Sequence, residues 1–222
     1  MAQLTSLAEF GLEDRTYSIA EWLAIEERTG ERFEYHEGLL VPFRAMAGGS
    51  YAHSAIGGNV VYALGAATRE RQAARPAAPL CGAHTSDLKL VIPGTNRYVY
   101  PDAAVICGKP EYDARVPSAV RNPVVVAEVL SPSSAKYDTS EKFAYYASLP
   151  TLREYVIVEQ EATWVEVRSR KEADGPWTFA FAKTLDASIE LPSLGVLLPM
   201  AEIYRGVELP PDTADSAEAV PA

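Results

Sequence analysis

Two carboxylates stand inside otherwise apolar segments of this chain. One lies within Tyr98-Val-Tyr-Pro-Asp102-Ala-Ala-Val-Ile-Cys107, and the other lies within Pro123-Val-Val-Val-Ala-Glu128-Val-Leu-Ser131. Short runs rich in Val and Ile and bounded by Pro, Asn or Gly are typical of buried strands. An ionised carboxylate in such a strand is costly unless a cation or several hydrogen bonds compensate it. The pattern therefore predicts that two neighbouring strands share one cation.

Strand alternation sharpens this prediction, because side chains i and i+2 lie on the same face of a strand. Asp102 then shares a face with Ala104, and Glu128 shares one with Leu130. If the two strands pair with these faces aligned, the carboxyl groups converge above a small apolar floor. Oxygen ligands favour a hard cation such as Mg²⁺ or Mn²⁺, which is held by few protein ligands and several waters. The expected site is a hydrolytic metal centre.

Further motifs accompany the two acids in a fixed order. They are Pro101-Asp102, Glu128-Val-Leu-Ser-Pro132, Asp138 with Lys142, and Glu154-Tyr-Val-Ile-Val158. Together they resemble the Uma family of putative restriction endonucleases, within the PD-(D/E)XK nuclease superfamily, and the likeness runs from about residue 22 to about residue 204. The resemblance implies an α/β (α+β) fold with a restriction-endonuclease-like mixed central sheet flanked by helices. An N-terminal helix and hairpin and a C-terminal hairpin complete that expectation.

The resemblance also implies metal-dependent hydrolysis of phosphodiester bonds in DNA by a homodimer. Asp102, Glu128 and the Val129 carbonyl would hold one or two Mg²⁺ or Mn²⁺ ions. Such a metal polarises the scissile phosphate and lowers the pKa of an attacking water. By the same resemblance Glu34 is a third acidic candidate for the metal, although an ordinary glutamate on a strand surface explains that position equally well.

One position departs from the superfamily pattern. The usual lysine, which orients the water or stabilises the developing charge, lies two residues after the acid, and here that residue is Leu130. The following helix starts only a few residues later and is expected to pack back over the strand. Lys142 in its first turn is therefore the predicted catalytic ammonium, with Lys89 and Lys136 as weaker candidates.

A nonenzymatic interpretation uses the same residues. Asp102 would cap a turn after Pro101, Glu128 would pair with a buried Lys or Arg, and the domain would be an inactive nuclease fold with a protein-binding or regulatory role. Other metal-dependent phosphodiesterase chemistry also fits the two acids. The combination of two acids, a nearby lysine and the motif order favours a nuclease site.

Composition bounds the organisation of the chain. Its 222 residues, 48% of them apolar, predict one domain over residues 15–206, with a mobile segment at 1–14 and a disordered acidic tail at 207–222. No apolar run approaches the roughly 18 residues of a membrane helix, and no signal peptide is evident, which predicts a soluble cytoplasmic protein without a membrane partner. The net charge of -10 counts against broad phosphate contact, although a bound cation would offset part of it.

The cysteines and the isolated polar residues give weaker indications of function than the two acids. Cys81 and Cys107 lack CxxC spacing, and two such residues in a cytoplasmic chain are expected to be reduced core thiols. His53 is either a structural hydrogen-bonding residue or a catalytic one. Asp87 is at most an acid that supports a metal ligand. A basic cluster at residues 69–75 is either a solvated helix end or a phosphate contact.

Periodicity and capping signals place the remaining elements. Helices are predicted over residues 19–28, with Thr16 or Ser18 as the cap, over 50–71, and over 138–149, where Asp138 and Glu141 form a capping box. A hairpin is predicted at 32–41, and residues 73–83 are predicted to be a loop. Residues 85–92 form a strand that turns directly into the strand carrying Asp102. A strand at 154–159 is expected to run parallel to the Glu128 strand, followed by a hairpin of 164–167 with 177–181.

Overall fold

The computed structural model describes residues 7–43, 50–131 and 138–209, without the side chains of Asp138 and Thr139. Its α-helices are α1 (Ile19–Thr29), α2 (Tyr51–Ala74), α3 (Phe143–Ala147) and α4 (Met200–Ile203), with a 3₁₀ turn at Leu7–Phe10 and a π-helical turn at Asp138–Lys142. The strands are β1 (Phe33–His36), β2 (Leu39–Pro42), β3 (Cys81–Thr85), β4 (Lys89–Ile92), β5 (Arg97–Val99), β6 (Ala103–Cys107), β7 (Ala119–Val120), β8 (Pro123–Leu130), β9 (Glu154–Glu159), β10 (Val165–Ser169), β11 (Thr178–Ala182), β12 (Ser188–Leu191) and β13 (Val196–Pro199).

A six-stranded mixed sheet is the centre of the fold. Its strand order is β11-β10-β9-β8-β6-β3, in which β8 and β9 run parallel and the other neighbours are antiparallel. A five-stranded sheet of order β2-β1-β5-β4-β7 and the β12–β13 hairpin accompany it. The predicted mixed sheet flanked by helices is confirmed, as is the parallel pairing of the Glu128 strand with the strand that begins at Glu154.

The central sheet buries both of its faces. On one side, Ile56, Val60 and Leu64 of α2 pack against Val105 and Ala127 in what we name the α2 core. The opposite face forms the α3 core, whose buried members are Leu90, Ile92, Val99, Ala104, Ile106, Val120, Val126, Leu130, Tyr146, Leu149, Leu152, Tyr155 and Ile157. Alternate residues of β6 and β8 thus enter opposite cores, as the period of a strand requires.

Local capping signals are confirmed at the N-terminal helix. The Ser18 side chain accepts from the Glu21 backbone N–H, and the Glu21 carboxylate accepts from the Ser18 backbone, which is a complete capping box. Gly30 ends the helix at φ 70°, where a side chain would be strained. The predicted hairpin follows, and its turn has Glu37 at φ 57° and Gly38 at φ 103°, a backbone conformation that glycine adopts without strain.

Several predicted strand and loop boundaries are wrong. Residues 85–92 are not one strand, because β3 ends at Thr85 and β4 begins at Lys89. The stretch from Tyr98 to Cys107 is not one strand, since β5 ends at Val99 in the five-stranded sheet and β6 begins at Ala103 in the central sheet. Pro101 lies at the crossing, where its missing N–H cannot serve a strand ladder. The predicted loop at 73–83 also ends early, because Cys81 already begins β3, which pairs with β6. Asp102 therefore lies where the chain passes from one sheet to the other.

The prediction of reduced cysteines is also wrong. Cys81 and Cys107 are disulfide-bonded, with their Cα atoms 4.0 Å apart. The antiparallel register of β3 and β6 places them directly opposite each other across a sequence separation of 26 residues. Nothing in their local sequence signals that pairing, because it depends on which strands become neighbours.

Several further predictions concern segments at the limits of the described chain. The predicted helix from residue 138 divides into the π-helical turn and α3, and the proposed capping side chain of Asp138 lies outside the described residues. Lys136, residues 1–6 and residues 210–222 lie outside them as well. Leu7 and Phe10 pack against the buried side chains of α1 and β1. Among the described helices, none has the length and apolar character needed to cross a membrane.

Candidate active site

Asp102, the residue before β6, lies opposite Glu128 of β8. Ala103 pairs with Ala127 in the β6–β8 register, so the next residues outward are Asp102 and Glu128. Oδ2 of Asp102 accepts a hydrogen bond of 2.8 Å from the Val129 N–H. That contact holds the first acid against the backbone that carries the second.

Glu128 is 3% exposed and has two protonated partners. Lys142 Nζ lies 3.0 Å from its Oε2, and the Tyr146 hydroxyl donates to its Oε1 at 2.9 Å. The ion pair is buried on both sides, since the Lys142 side chain is 5% exposed. The structure thus places Lys142, the predicted replacement for the missing lysine, next to Glu128.

Tyr146 was not singled out from the sequence, where it reads as part of an apolar helix stripe. Its side chain is buried, and burial, followed by the negative charges of Glu128 and Glu34, raises the pKa of the phenol well above its ordinary value. The hydroxyl therefore keeps its proton at neutral pH and serves as a donor to Glu128. Its spacing of four residues from Lys142, one helical turn, is the signal that would have identified it.

Leu130 shows why the lysine is elsewhere. This residue is 2% exposed and belongs to the α3 core. An ammonium at that position would be surrounded by apolar side chains, where a charge is costly. Lys142, in the helical turn that follows β8, supplies the ammonium instead.

Glu34 enters the site from the other sheet. It is fully buried, so it is not a glutamate on a strand surface. Its Oε1 accepts from the Tyr100 N–H at 3.0 Å, and its Oε2 lies 2.8 Å from Nε2 of His36. Because the charge of Glu34 also acts on the Tyr146 phenol, the two groups share one electrostatic environment.

The other polar candidates occupy distinct positions. His53, in the first turn of α2, has its Nε2 3.5 Å from Oδ2 of Asp102 and is therefore part of the site. Lys89 is not, because its ammonium pairs with Glu26 of α1 at 2.7 Å and lies over the Trp22 ring. Asp87 is an exposed residue of the β3–β4 turn that pairs with Arg32 at 2.9 Å.

A cavity of about 480 Å³ opens beside Asp102. The first turns of α2 form one wall, including Gly57 and Gly58, and the β3–β4 turn contributes Ser86. A Cβ added at either glycine would meet no atom within 4 Å, so the helix presents bare backbone to open space there. Two glycines, each of which weakens a helix by about 1 kcal/mol relative to alanine, thus lie in the wall of the cavity that Asp102 also lines.

The basic cluster lies at the opposite end of the same helix. Arg71 donates to the carbonyl of Pro79, and the guanidinium of Arg75 covers Gly195. A rise of about 1.5 Å per residue separates these side chains from His53 by roughly 30 Å. They hold the loop and hairpin at the far end of α2, which agrees with the interpretation as a helix end.

The donor atoms at the site suit a hard cation. Asp102 and Glu128 supply carboxylate oxygens, which Mg²⁺ prefers, and such ions commonly keep several waters beside one or two carboxylates. Over residues 7–43, 50–131 and 138–209, no three His, Cys, Asp or Glu side chains are grouped so as to hold a metal. The arrangement fits a cation with few protein ligands.

Comparison with known proteins places these residues in context. A family model described as "Uma2: Putative restriction endonuclease" matches residues 19–201, a span that contains Asp102, Glu128 and Lys142. Two proteins of Synechocystis sp. (strain ATCC 27184 / PCC 6803 / Kazusa) are similar in sequence. The uncharacterized protein sll1609 is 33% identical over 171 residues, which cover 77% of this chain and 90% of that protein. The uncharacterized protein slr1290 is 32% identical over 187 residues, which cover 84% and 90%.

A solved structure shares the fold. The crystal structure of a putative nuclease belonging to DUF820 from Anabaena variabilis ATCC 29413 superimposes with a TM-score of 0.59, covering 79% of this chain and 90% of that one. At 14% sequence identity the likeness is one of architecture.

Proposed function

Because the chain belongs to the Uma2 family of putative restriction endonucleases, we propose that it is a divalent-metal-dependent endonuclease that hydrolyses phosphodiester bonds in DNA. The observation that supports this most is the buried group of Glu128, Lys142 and Tyr146 beside Asp102. Two acids on paired strands with a cation at one of them are the parts that metal-assisted phosphodiester hydrolysis requires.

Asp102 and Glu128 would hold the metal, with the Val129 carbonyl as a further ligand. Within the described chain, Glu34 is not grouped with both of these acids, so it would act on the metal through a bound water. Mg²⁺ or Mn²⁺, when bound, polarises the phosphate and makes the attacking water more acidic. Asp102 is oriented for this by the Val129 N–H, and Glu128 by the Tyr146 hydroxyl.

Lys142 supplies the positive charge next to the reacting group. Paired with Glu128, its ammonium is held 3.0 Å from a candidate ligand atom before substrate arrives. A cation placed in advance where negative charge develops stabilises the transition state without reorganisation. The cavity lined by Asp102 and His53 offers the substrate an approach to the first of the two acids.

DNA as substrate and a homodimeric assembly belong to the same proposal and come from the family resemblance, and the cytoplasmic location comes from the sequence pattern. The net charge of -10 argues that substrate is held by contacts close to the site and by the metal, since a broad basic surface is not what this composition provides.

The test is nicking of supercoiled plasmid with Mn²⁺ or Mg²⁺, repeated with excess EDTA. We expect cleavage that depends on metal and is lost in Glu128→Gln purified in the same way, which controls for contaminating nucleases. Equal cleavage by both proteins would contradict the site. A folded wild type that binds Mn²⁺ but leaves DNA intact under all of these conditions would favour the inactive module with a protein-binding or regulatory role.

A further inference from the structure

We propose that His36 and Arg97 are positioning residues that hold Glu34 at the candidate active site and link its hairpin to the helix carrying Lys142. This inference deepens the proposed function and rests on it for the activity measurements. Neither residue carries a signal in the sequence. Their arrangement follows from the pairing of β1 with β5, which sets His36 opposite Arg97.

Arg97, His36 and Glu34 are joined by consecutive hydrogen bonds whose donors can be assigned. Arg97 Nη1 lies 3.1 Å from Nδ1 of His36, and Nε2 of His36 lies 2.8 Å from Oε2 of Glu34. A guanidinium only donates, so Nδ1 must be the acceptor. The imidazole proton is then on Nε2, where it donates to Glu34.

This proton position matters because Glu34 is fully buried. With the Tyr100 N–H on Oε1 and His36 on Oε2, both carboxylate oxygens have a donor. Hydrogen bonds of this kind fix the orientation of a ligating group. The Nε2–H tautomer of His36 thus fixes the orientation of the Glu34 carboxylate.

Arg97 also contacts the helix that follows Lys142. Its Nη2 lies 3.2 Å from Oε1 of Glu37, and its guanidinium carbon lies 4.1 Å from the ring centroid of Tyr145. Tyr145 is adjacent to Tyr146 and three residues from Lys142. One side chain therefore contacts both the hairpin with Glu34 and the helix with the groups that bind Glu128.

The first experiment reads the tautomer directly and needs no nuclease activity. Long-range ¹H–¹⁵N correlation spectra of the imidazoles at neutral to alkaline pH should show His36 protonated on Nε2 alone in the wild type. Arg97→Leu should convert it to a mixture of tautomers. Arg115→Leu is the matched control, because Arg115 lies near a tyrosine ring, 5.8 Å from the centroid of Tyr98, and makes its own contacts to Asn96 and Asp113. Protonation on Nδ1 in the wild type, or an unchanged spectrum in Arg97→Leu, would overturn the proposal.

The second experiment tests whether His36 acts through Glu34. His36→Ala should lower plasmid nicking about 10- to 100-fold, the usual effect of removing a partner of a metal ligand. His36→Gln should recover much of that loss, since its amide N–H takes the place of Nε2–H. In a Glu34→Gln background, His36→Ala should cost nothing further.

Each alternative outcome has a separate meaning. Independent losses in the double variant, or a His36→Gln protein no better than His36→Ala, would show a merely structural histidine and refute the positioning role. A wild type without nuclease activity would contradict the proposed function. The tautomer spectra would still test the contact between His36 and Arg97.

Discussion

Two buried glutamates on neighbouring parallel strands have opposite surroundings. Glu128 on β8 is 3% exposed and is held by the ammonium of Lys142 and the phenol of Tyr146. Glu154 on β9 is 1% exposed and accepts from the backbone N–H of Ser193 at 2.8 Å and from the Ser193 hydroxyl. Burial alone therefore does not identify a catalytic acid, and the chemistry of the partners separates the two.

The surroundings of Glu154 fit a structural role. Burial raises the pKa of its carboxyl group, and the hydrogen bonds from Ser193 offset only part of that effect. It lines a larger cavity of about 780 Å³, whose wall also includes Arg153 and Arg170. Both guanidiniums donate to backbone carbonyls, among them that of Leu152. This end of β9 connects the sheet to the β12–β13 turn, whereas the Glu128 end of β8 assembles charged groups.

The largest expected effect comes from Glu128→Gln. Losing a metal ligand that also pairs with Lys142 should reduce plasmid cleavage on the order of a thousandfold, because several transition-state contacts depend on one carboxylate. Calorimetric titration should show that Mn²⁺ binding is lost as well. Glu154→Gln is the matched control, a buried glutamate on the next strand, and should bind and cleave like wild type. Equal losses in both variants would remove the distinction between the two acids.

Lys142→Met should lower cleavage by about a hundredfold, the effect of losing one preorganised charge that stabilises a transition state. Mn²⁺ affinity should change far less, because the carboxylates remain. Urea unfolding must accompany the assay, since the change also breaks a buried ion pair. If the folded variant cleaves normally, Lys142 is only a structural partner of Glu128. The role of Glu128 would then resemble the structural role of Glu154.

Tyr146→Phe removes only the hydroxyl that donates to Glu128. A hydrogen bond to a charged group contributes about 1.5 kcal/mol or somewhat more, which corresponds to a loss of cleavage of roughly tenfold. The remaining ring preserves the packing against Tyr155, whose centroid lies 5.5 Å away. A matched variant, Tyr204→Phe, removes another buried hydroxyl that donates to the backbone, and it should leave cleavage unchanged. Loss of cleavage in Tyr204→Phe alone would contradict the assignment.

The smallest effect is on the pH dependence of stability. Because burial raises the folded-state pKa of Glu154 above its ordinary value of 4.5, folding favours its protonated form. Its contribution is full below that ordinary value and is lost as the pH rises through the folded-state pKa. As the pH rises above this ordinary value, the free energy of unfolding of wild type should therefore fall more steeply than that of Glu154→Gln, as measured by urea titration. Parallel curves would mean that Glu154 is not held in this way.

Short-range signals in the sequence were enough for the elements and for the pair of acids. The capping box of Ser18 and Glu21 spans three residues, and the alternation around Glu128 spans four. Lys142 was found because the strand and the helix after it are separated by a short connection. Ser18 and Glu21 are close in the chain, so local geometry decides that they meet, whereas Asp102 and Glu128 could be placed together only by assuming that their two strands pair.

The tertiary structure alone decided the remainder. The contact of His36 with Arg97 joins residues 61 apart, the pair of Lys89 with Glu26 spans 63, and the disulfide spans 26. Such contacts depend on which strands become neighbours and in which register, and a shift of one residue would turn every side chain to the other face. Sequence patterns therefore determined that two acids and a lysine occupy one region. Only the packing of two sheets around them decided which histidine, arginine and tyrosine hold those groups in place, because burial and orientation arise from long-range contacts that no local pattern records.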